Sequence, residues 1–244
     1  MLWNLDTLRG YSVRATDDTL GRVRDVLFDD QTFQVRYVTV DTGPWLFGRT
    51  VLLVPSVIGQ PDAERRELAV RLSREQVKNS PPIEAGKPVE RRLEEELHAH
   101  YGWDPYWAGA GALGVPAIGP ELLAAELNVP RGATLAPGDP HLRSGRAIEG
   151  YGVAAADGDL GSVDSFLIDL KAWRVRYLVV DTGNWLPGRK VLVALGWVRD
   201  FDWSNSYVAV ALPRERIAQS PEYDAAYPVD EAAERRFEGW YGTG

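Results

Sequence analysis

The chain has 244 residues, 45% of them apolar and 25% charged, which suits a soluble globular protein of about two domains and argues against a disordered or fibrous chain. A formal net charge of −8 works against binding a phosphate backbone, because that affinity comes from Lys and Arg displacing counterions. Cys is absent, which excludes disulfides, thiolate nucleophiles and Cys-ligated metals.

The opening residues carry neither a positive leader region nor an apolar run of signal length, and no window reaches about 18 uninterrupted apolar residues. A cytoplasmic protein without a transmembrane segment is the expectation. Leu8–Ala15 alternates weakly and ends in the turn-forming cluster Thr16–Thr19, which reads as a short strand and a hairpin turn. Leu20–Asp29 follows as a half-buried strand built on Val23, Val26 and Phe28. Phe33, Val35 and Tyr37, with the apolar tail Val38–Val40, give a third strand of period 2. A wide loop over Asp41–Gly48 leads into Thr50–Val54, a run apolar enough to be buried on both faces, and Pro55 ends it. A polar turn over Pro61–Arg66 then precedes a strand over Leu68–Leu72.

Five or six short antiparallel strands describe a small barrel or sandwich whose closure removes exposed edges. Ser73 caps a helix over Arg74–Asn79, with Gln76 placed for a capping box. A second helix, Val89–Tyr101, carries Val89, Leu93 and Leu97 on one stripe, and its other residues, including Glu94–Glu96, read as a solvated face. Gly, Ala and Pro dominate residues 103–146, a linker in which Gly119-Pro120 can start a short helix over Glu121–Leu127.

The plan then repeats. Arg36–Arg49 recurs as Arg176–Arg189 at an offset of 140, and the same offset relates Gly10-Tyr11 to Gly150-Tyr151 and Ser80-Pro81 to Ser220-Pro221. Duplication on this scale marks two copies of one domain, bounded here at 1–102 and 147–244 around the 103–146 linker. The fold class expected is mainly β with α (α+β): two tandem antiparallel barrels, each followed by helices.

Each copy resembles a PRC-barrel domain. The second is the closer, through His141-Leu142-Arg143-Ser144, Gly150-Tyr151, Asp157–Gly161, Val179–Trp185 and Pro187–Leu192. The resemblance implies the β-barrel shared by the photosynthetic reaction centre H subunit and the C-terminal domain of a ribosome-maturation factor. The anchor of the one and the preceding barrel of the other have no counterpart here. It also implies a non-enzymatic interaction or scaffold module with protein partners, no nucleic-acid ligand and no cofactor. A homo-oligomer, and peripheral association with a membrane complex, fit the same picture. A role beside a photosynthetic electron-transfer complex or in ribosome maturation is the alternative that family analogy offers.

The candidate site residues are those of the repeated loop: Asp41, Thr42, Gly43, Trp45, Gly48 and Arg49, with Asp181, Thr182, Gly183, Trp185, Gly188 and Arg189. Asp-Thr-Gly after an apolar pair, twice in one chain, is also how aspartic peptidases supply two carboxylates that share a proton, so Asp41 and Asp181 form a rival catalytic dyad. Pro44, Asn184 and the bulky Trp behind each loop fit that chemistry poorly. In the structural reading, Asp accepts backbone N–H bonds, Gly takes a positive φ, Trp folds over the barrel end, and Arg49 and Arg189 are ionic partners for Asp41 and Asp181.

Elsewhere, His98 and His100 stand two apart on a helix and cannot chelate together, so they read as solvated, and no metal is expected. Gly109–Gly114 and Gly158–Gly161 lack the Lys and the context of a phosphate loop. Trp103, Tyr106 and Trp107 follow the helix of the first copy, where such rings either cover a barrel end or form an aromatic partner surface.

Overall fold

The computed structural model describes residues 1–83, 89–108, 142–183, 188–221, 223–224 and 229–241. The expected helix over Glu121–Leu127, the run Gly109–Gly114, His141 and Trp185 lie outside the described residues. The first half contains β1 (Leu2–Asn4), α1 (Leu5–Leu8), β2 (Ser12–Arg14), β3 (Thr19–Asp29), β4 (Val35–Asp41), β5 (Thr50–Leu53), β6 (Ile58–Asp62), β7 (Glu67–Val70), α2 (Arg74–Lys78) and α3 (Arg91–Tyr101). The second half matches it with β8 (Leu142–Ser144), α4 (Gly145–Ile148), β9 (Gly152–Ala155), β10 (Gly158–Asp169), β11 (Arg174–Asp181) and β12 (Lys190–Ala194). It ends with β13 (Val198–Asp202), β14 (Tyr207–Val210), α5 (Arg214–Ala218) and α6 (Glu231–Tyr241).

Each half forms a sheet in the order β5-β4-β3-β2-β7-β6 or β12-β11-β10-β9-β14-β13. All neighbours are antiparallel except β2–β7 and β9–β14. Long β3 bends to serve several partners, and its ladder with β4 slips at Val23/Asp25 and Leu27/Phe28, the bulges that let a strand turn a corner. Its glycine is required by close approach. A Cβ on Gly21, whose φ is +154°, would lie 1.9 Å from the Asp41 carbonyl oxygen, and one on Gly161 would lie 2.0 Å from that of Asp181.

Two local expectations need correcting. Leu5–Leu8 is helical, so the first strand of the alternating segment is only Ser12–Arg14. Pro61 sits inside a strand rather than a turn, opposite Leu68. That is tolerable because β6 ends the hydrogen-bonded path, where no neighbour needs its missing N–H. Edges therefore survive at β5 and β6, joined by a 3-10 turn at Pro55–Val57, and on the matching β12 edge Tyr223 makes an antiparallel bridge to Lys190.

The halves exchange their first strands. β1 pairs with β10, Leu2 opposite Asp169, and β8 pairs with β3, Leu142 opposite Asp29. Each sheet thus reaches seven strands only with one from the other half. At the junction Val35 donates its N–H to the Trp173 carbonyl at 2.7 Å and Val175 donates to that of Phe33 at 3.0 Å, a twofold-related pair of bonds around the Gln34–Arg174 bridge. Phe28 packs on Phe166 at 5.9 Å between ring centroids, and the main core runs through both halves. Among the described residues no helix is long and apolar enough to cross a membrane.

Candidate functional site

The repeated loop closes on itself. Asp41 accepts the Gly43 N–H at 2.9 Å and Asp181 that of Gly183 at 2.8 Å, turns made possible by φ of +61° and +55° at the two glycines. The Thr42 and Thr182 hydroxyls donate to the Arg49 and Arg189 carbonyls at 2.8 and 2.7 Å, while Gly48 and Gly188 turn the chain back at positive φ. Trp45 lies over the end of the first barrel, its Nε1 donating to the Leu20 carbonyl at 2.5 Å.

The expected Arg–Asp pairing of the loop is not what the arginines do. Arg49 donates to the Lys78 carbonyl at 3.2 Å and to the Ser80 carbonyl, and Arg189 reaches the Ala218 and Ser220 carbonyls at 2.8 and 2.5 Å. Carbonyls leaving a helix end have no intrahelical donor and carry the negative end of its dipole, so a forked cation satisfies them better than it would an exposed carboxylate.

The two loops also stand far apart. From the antiparallel Gln34–Arg174 bridge, β4 and β11 run in opposite directions, and Asp41 and Asp181 close their far ends. At a rise of about 3.3 Å per residue each carboxylate lies roughly 20 Å from the bridge, on opposite sides of it. They cannot share a proton.

A different cluster is drawn together beneath α3. The fully buried Tyr37 donates its hydroxyl to Glu94 at 3.0 Å, and Tyr106 donates to the same carboxylate oxygen at 2.6 Å. Arg91 pairs with the other oxygen at 2.9 Å. His98 Nε2 lies 3.0 Å from the Tyr37 hydroxyl. Since that single proton goes to the carboxylate, the imidazole donates from Nε2. Nδ1 is buried beside the Trp103 and Asp104 backbones without a hydrogen bond of good geometry. Burial first, then the Glu94 charge, pushes the Tyr37 hydroxyl far above the ordinary tyrosine range. Tyr106 is raised too, by burial and then by its bond to Glu94. Burial also lowers the affinity of His98 for a second proton, outweighing the neighbouring backbone and Glu94. All three groups are neutral near pH 7.

Glu94 is 0% exposed and His98 5%, which overturns the expectation of solvation for these two, while Glu95, Glu96 and His100 are exposed as expected. Counting only apolar residues, the helical stripe is Val89, Leu93 and Leu97; the contact face in fact includes Arg91, Glu94 and His98, at helical spacing. Tyr37 inside an otherwise aliphatic strand was the signal, since a buried phenol needs a partner. The second half keeps Tyr177 and Glu234 at the positions of Tyr37 and Glu94 but has Glu238 where the first has His98, and there Phe237 packs on Tyr177 with centroids 6.3 Å apart.

Trp103, Tyr106 and Trp107 wrap this knot. Trp103 stacks on Tyr101 at 4.1 Å, Trp107 meets His98 edge-on at 4.6 Å, and the Arg36 guanidinium lies 3.9 Å over the Tyr106 ring. All three are half-buried. Trp103 and Tyr106 also border an open cleft of about 730 Å³ between the β3–β4 turn, Val54–Ser56 and the end of α3. The second half contributes Arg174 to its wall. Arg36 is held by Asp29 at 3.3 Å, whereas Arg174 is exposed and has no side-chain partner among the described residues. Among the described residues no group of three or more His, Asp or Glu is placed to hold a metal ion.

Against known families, the model described as PRC-barrel domain matches residues 4–77 and again 141–216. No curated protein matches the chain.

Proposed function

Because the chain belongs to the PRC-barrel family, with more than half of its length matched, we propose that it acts by binding rather than turnover, as an interaction module that receives an acidic segment of a protein partner in the inter-barrel cleft. The observation that carries this is Arg174, a cation on the cleft wall with no side-chain partner among the described residues, next to the apolar Val54, Pro55 and Trp103 and to Arg36, which Asp29 holds. Polar side chains, among them Arg36 and Asp104, line the cleft together with these apolar groups, and a guanidinium binds a carboxylate through two parallel bonds. The tyrosines and histidine behind it support binding over chemistry. The Tyr37 and Tyr106 hydroxyls are tied to Glu94 and His98 Nε2 to Tyr37, and the shifts in their proton affinities come first from burial.

The test is co-purification from the protein's own cells, comparing wild type with Arg174→Glu, with Ser56→Trp to fill the cleft, and with Arg65→Glu as a remote charge reversal. A partner retained by Arg65→Glu and lost at least tenfold by the other two supports the reading. Equal recovery of the partner with all four proteins sinks it.

A further inference from the structure

Where the halves meet, several residues face their own equivalents 140 positions away, and the members of each facing pair differ in a complementary way. Leu5 faces Gly145: a Cβ on that glycine would come within 2.6 Å of the Leu5 methyl group. Arg9 forms an ion pair with Glu149, and both side chains are mostly buried. The neighbouring charges are inverted as well, since Asp6, bonded to Arg9 at 2.6 Å, has Arg146 as its equivalent. Polar groups on the exchanged strands follow the same logic. Asn4 accepts from Ser165 at 2.9 Å on one side, while on the other Ser144 donates to Asp25, whose carboxylate also takes the Arg146 N–H at 3.2 Å.

We propose that this junction is a self-recognition surface that accepts only the unlike half, from the same chain or from a second copy of it. Two first halves would bring Leu5 against Leu5 in a space sized for glycine, and Arg9 against Arg9. Two second halves would leave a void at Gly145 and oppose Glu149 to Glu149. Overpacking, cavities and buried like charges each oppose the wrong pairing, and discrimination of this kind rests on repulsion as much as attraction. The exchanged strands add reach: because β1 and β8 cross to the other half, the unlike half that completes a sheet can be supplied in trans, and the covalent connection favours the intramolecular partner through effective concentration.

The full sequence expressed as two pieces broken between Pro120 and Glu121, one of them tagged, tests this directly. The expected result is a 1:1 complex of unlike pieces, with no co-purification of tagged and untagged copies of the same piece. Gly145→Leu and, separately, Arg9→Glu should each weaken the complex roughly tenfold to a hundredfold. The inversions Leu5→Gly with Gly145→Leu, and Arg9→Glu with Glu149→Arg, should recover much of the loss. Because a glycine in α1 can itself destabilise, the charge inversion is also made in the unbroken chain and read as recovery of the unfolding midpoint. Like pieces pairing as readily as unlike ones, failure of the pieces to associate, or a charge inversion that recovers nothing in either format overturns the proposal.

Discussion

At the scale of single residues, the repeated Asp-Thr-Gly loop and the buried histidine do opposite kinds of work. Gly21 and Gly161 let the strand carrying each Asp pass at near contact, so a methyl group there has nowhere to go. Gly21→Ala should cost about 2–3 kcal/mol in equilibrium unfolding, as overpacking against a backbone carbonyl does. Gly196→Ala, with open space around it, should stay within about 0.5 kcal/mol. His98 makes stability depend on pH. Its proton affinity is lowered in the folded protein, so below the ordinary value of 6.5 the unfolded chain takes up the proton more readily than the native state. The stability this group contributes is complete above that value and is lost as pH falls through the lowered folded pKa. Urea midpoints should therefore decline below about pH 6.5 more steeply in wild type than in His98→Gln. Matching slopes would mean that His98 does not titrate differently on folding.

At the scale of elements, the Gly-Arg half of the repeated loop is a clasp on a helix. Arg49 holds the end of α2 through the Lys78 and Ser80 carbonyls, and Arg189 holds α5 in the same way. Arg49→Ala should cost about 1–2 kcal/mol, in the range for hydrogen bonds made by a charged group at a partly buried site. Arg49→Lys should recover only part of this, since a single ammonium lacks the planar fork whose two nitrogens reach the separate carbonyls. Amide exchange that speeds up at Val77–Ser80 while β4 is unchanged would locate the effect. Strands such as Val35–Asp41 and Thr50–Leu53 and the capping box at Ser73 were legible in the sequence, because period, β-branching and cap chemistry are local properties. The destination of Arg49 was not, since carbonyls about thirty residues away leave no periodic trace. The Tyr37–Glu94–His98 knot was hidden for a related reason. Reading a helix face by its apolar residues assigns Glu and His to solvent, and only the buried phenol opposite makes them interior.

At the scale of the whole molecule, tandem duplication would ordinarily suggest two domains that melt separately. The strand exchange argues otherwise. It too was invisible in the sequence, because β1 and β8 are three-residue segments with no pattern to name their partners. Leu2 is 1% exposed and belongs to a second cluster with Leu167, Tyr177, Val229 and Phe237, so the chain's first strand is core to its last barrel. Its N–H also donates to the Val229 carbonyl at 2.9 Å, just before α6. Leu2→Asp places a carboxylate in that cluster with no cation provided for it, a change that typically costs several kcal/mol. If the halves were independent, the loss would fall on residues near Leu2 in sequence and leave the second barrel's transition where it was. The exchanged architecture requires the reverse: hydrogen exchange should accelerate first in Leu167–Asp169 of β10 and in α6, more than 150 residues away in sequence. Because the main core is continuous through Leu5, Phe28, Ile148 and Phe166, the whole chain should still unfold in one transition, at a lower midpoint. Two resolved transitions, with the first barrel's unchanged, would show that the shared strands and core do not couple the halves.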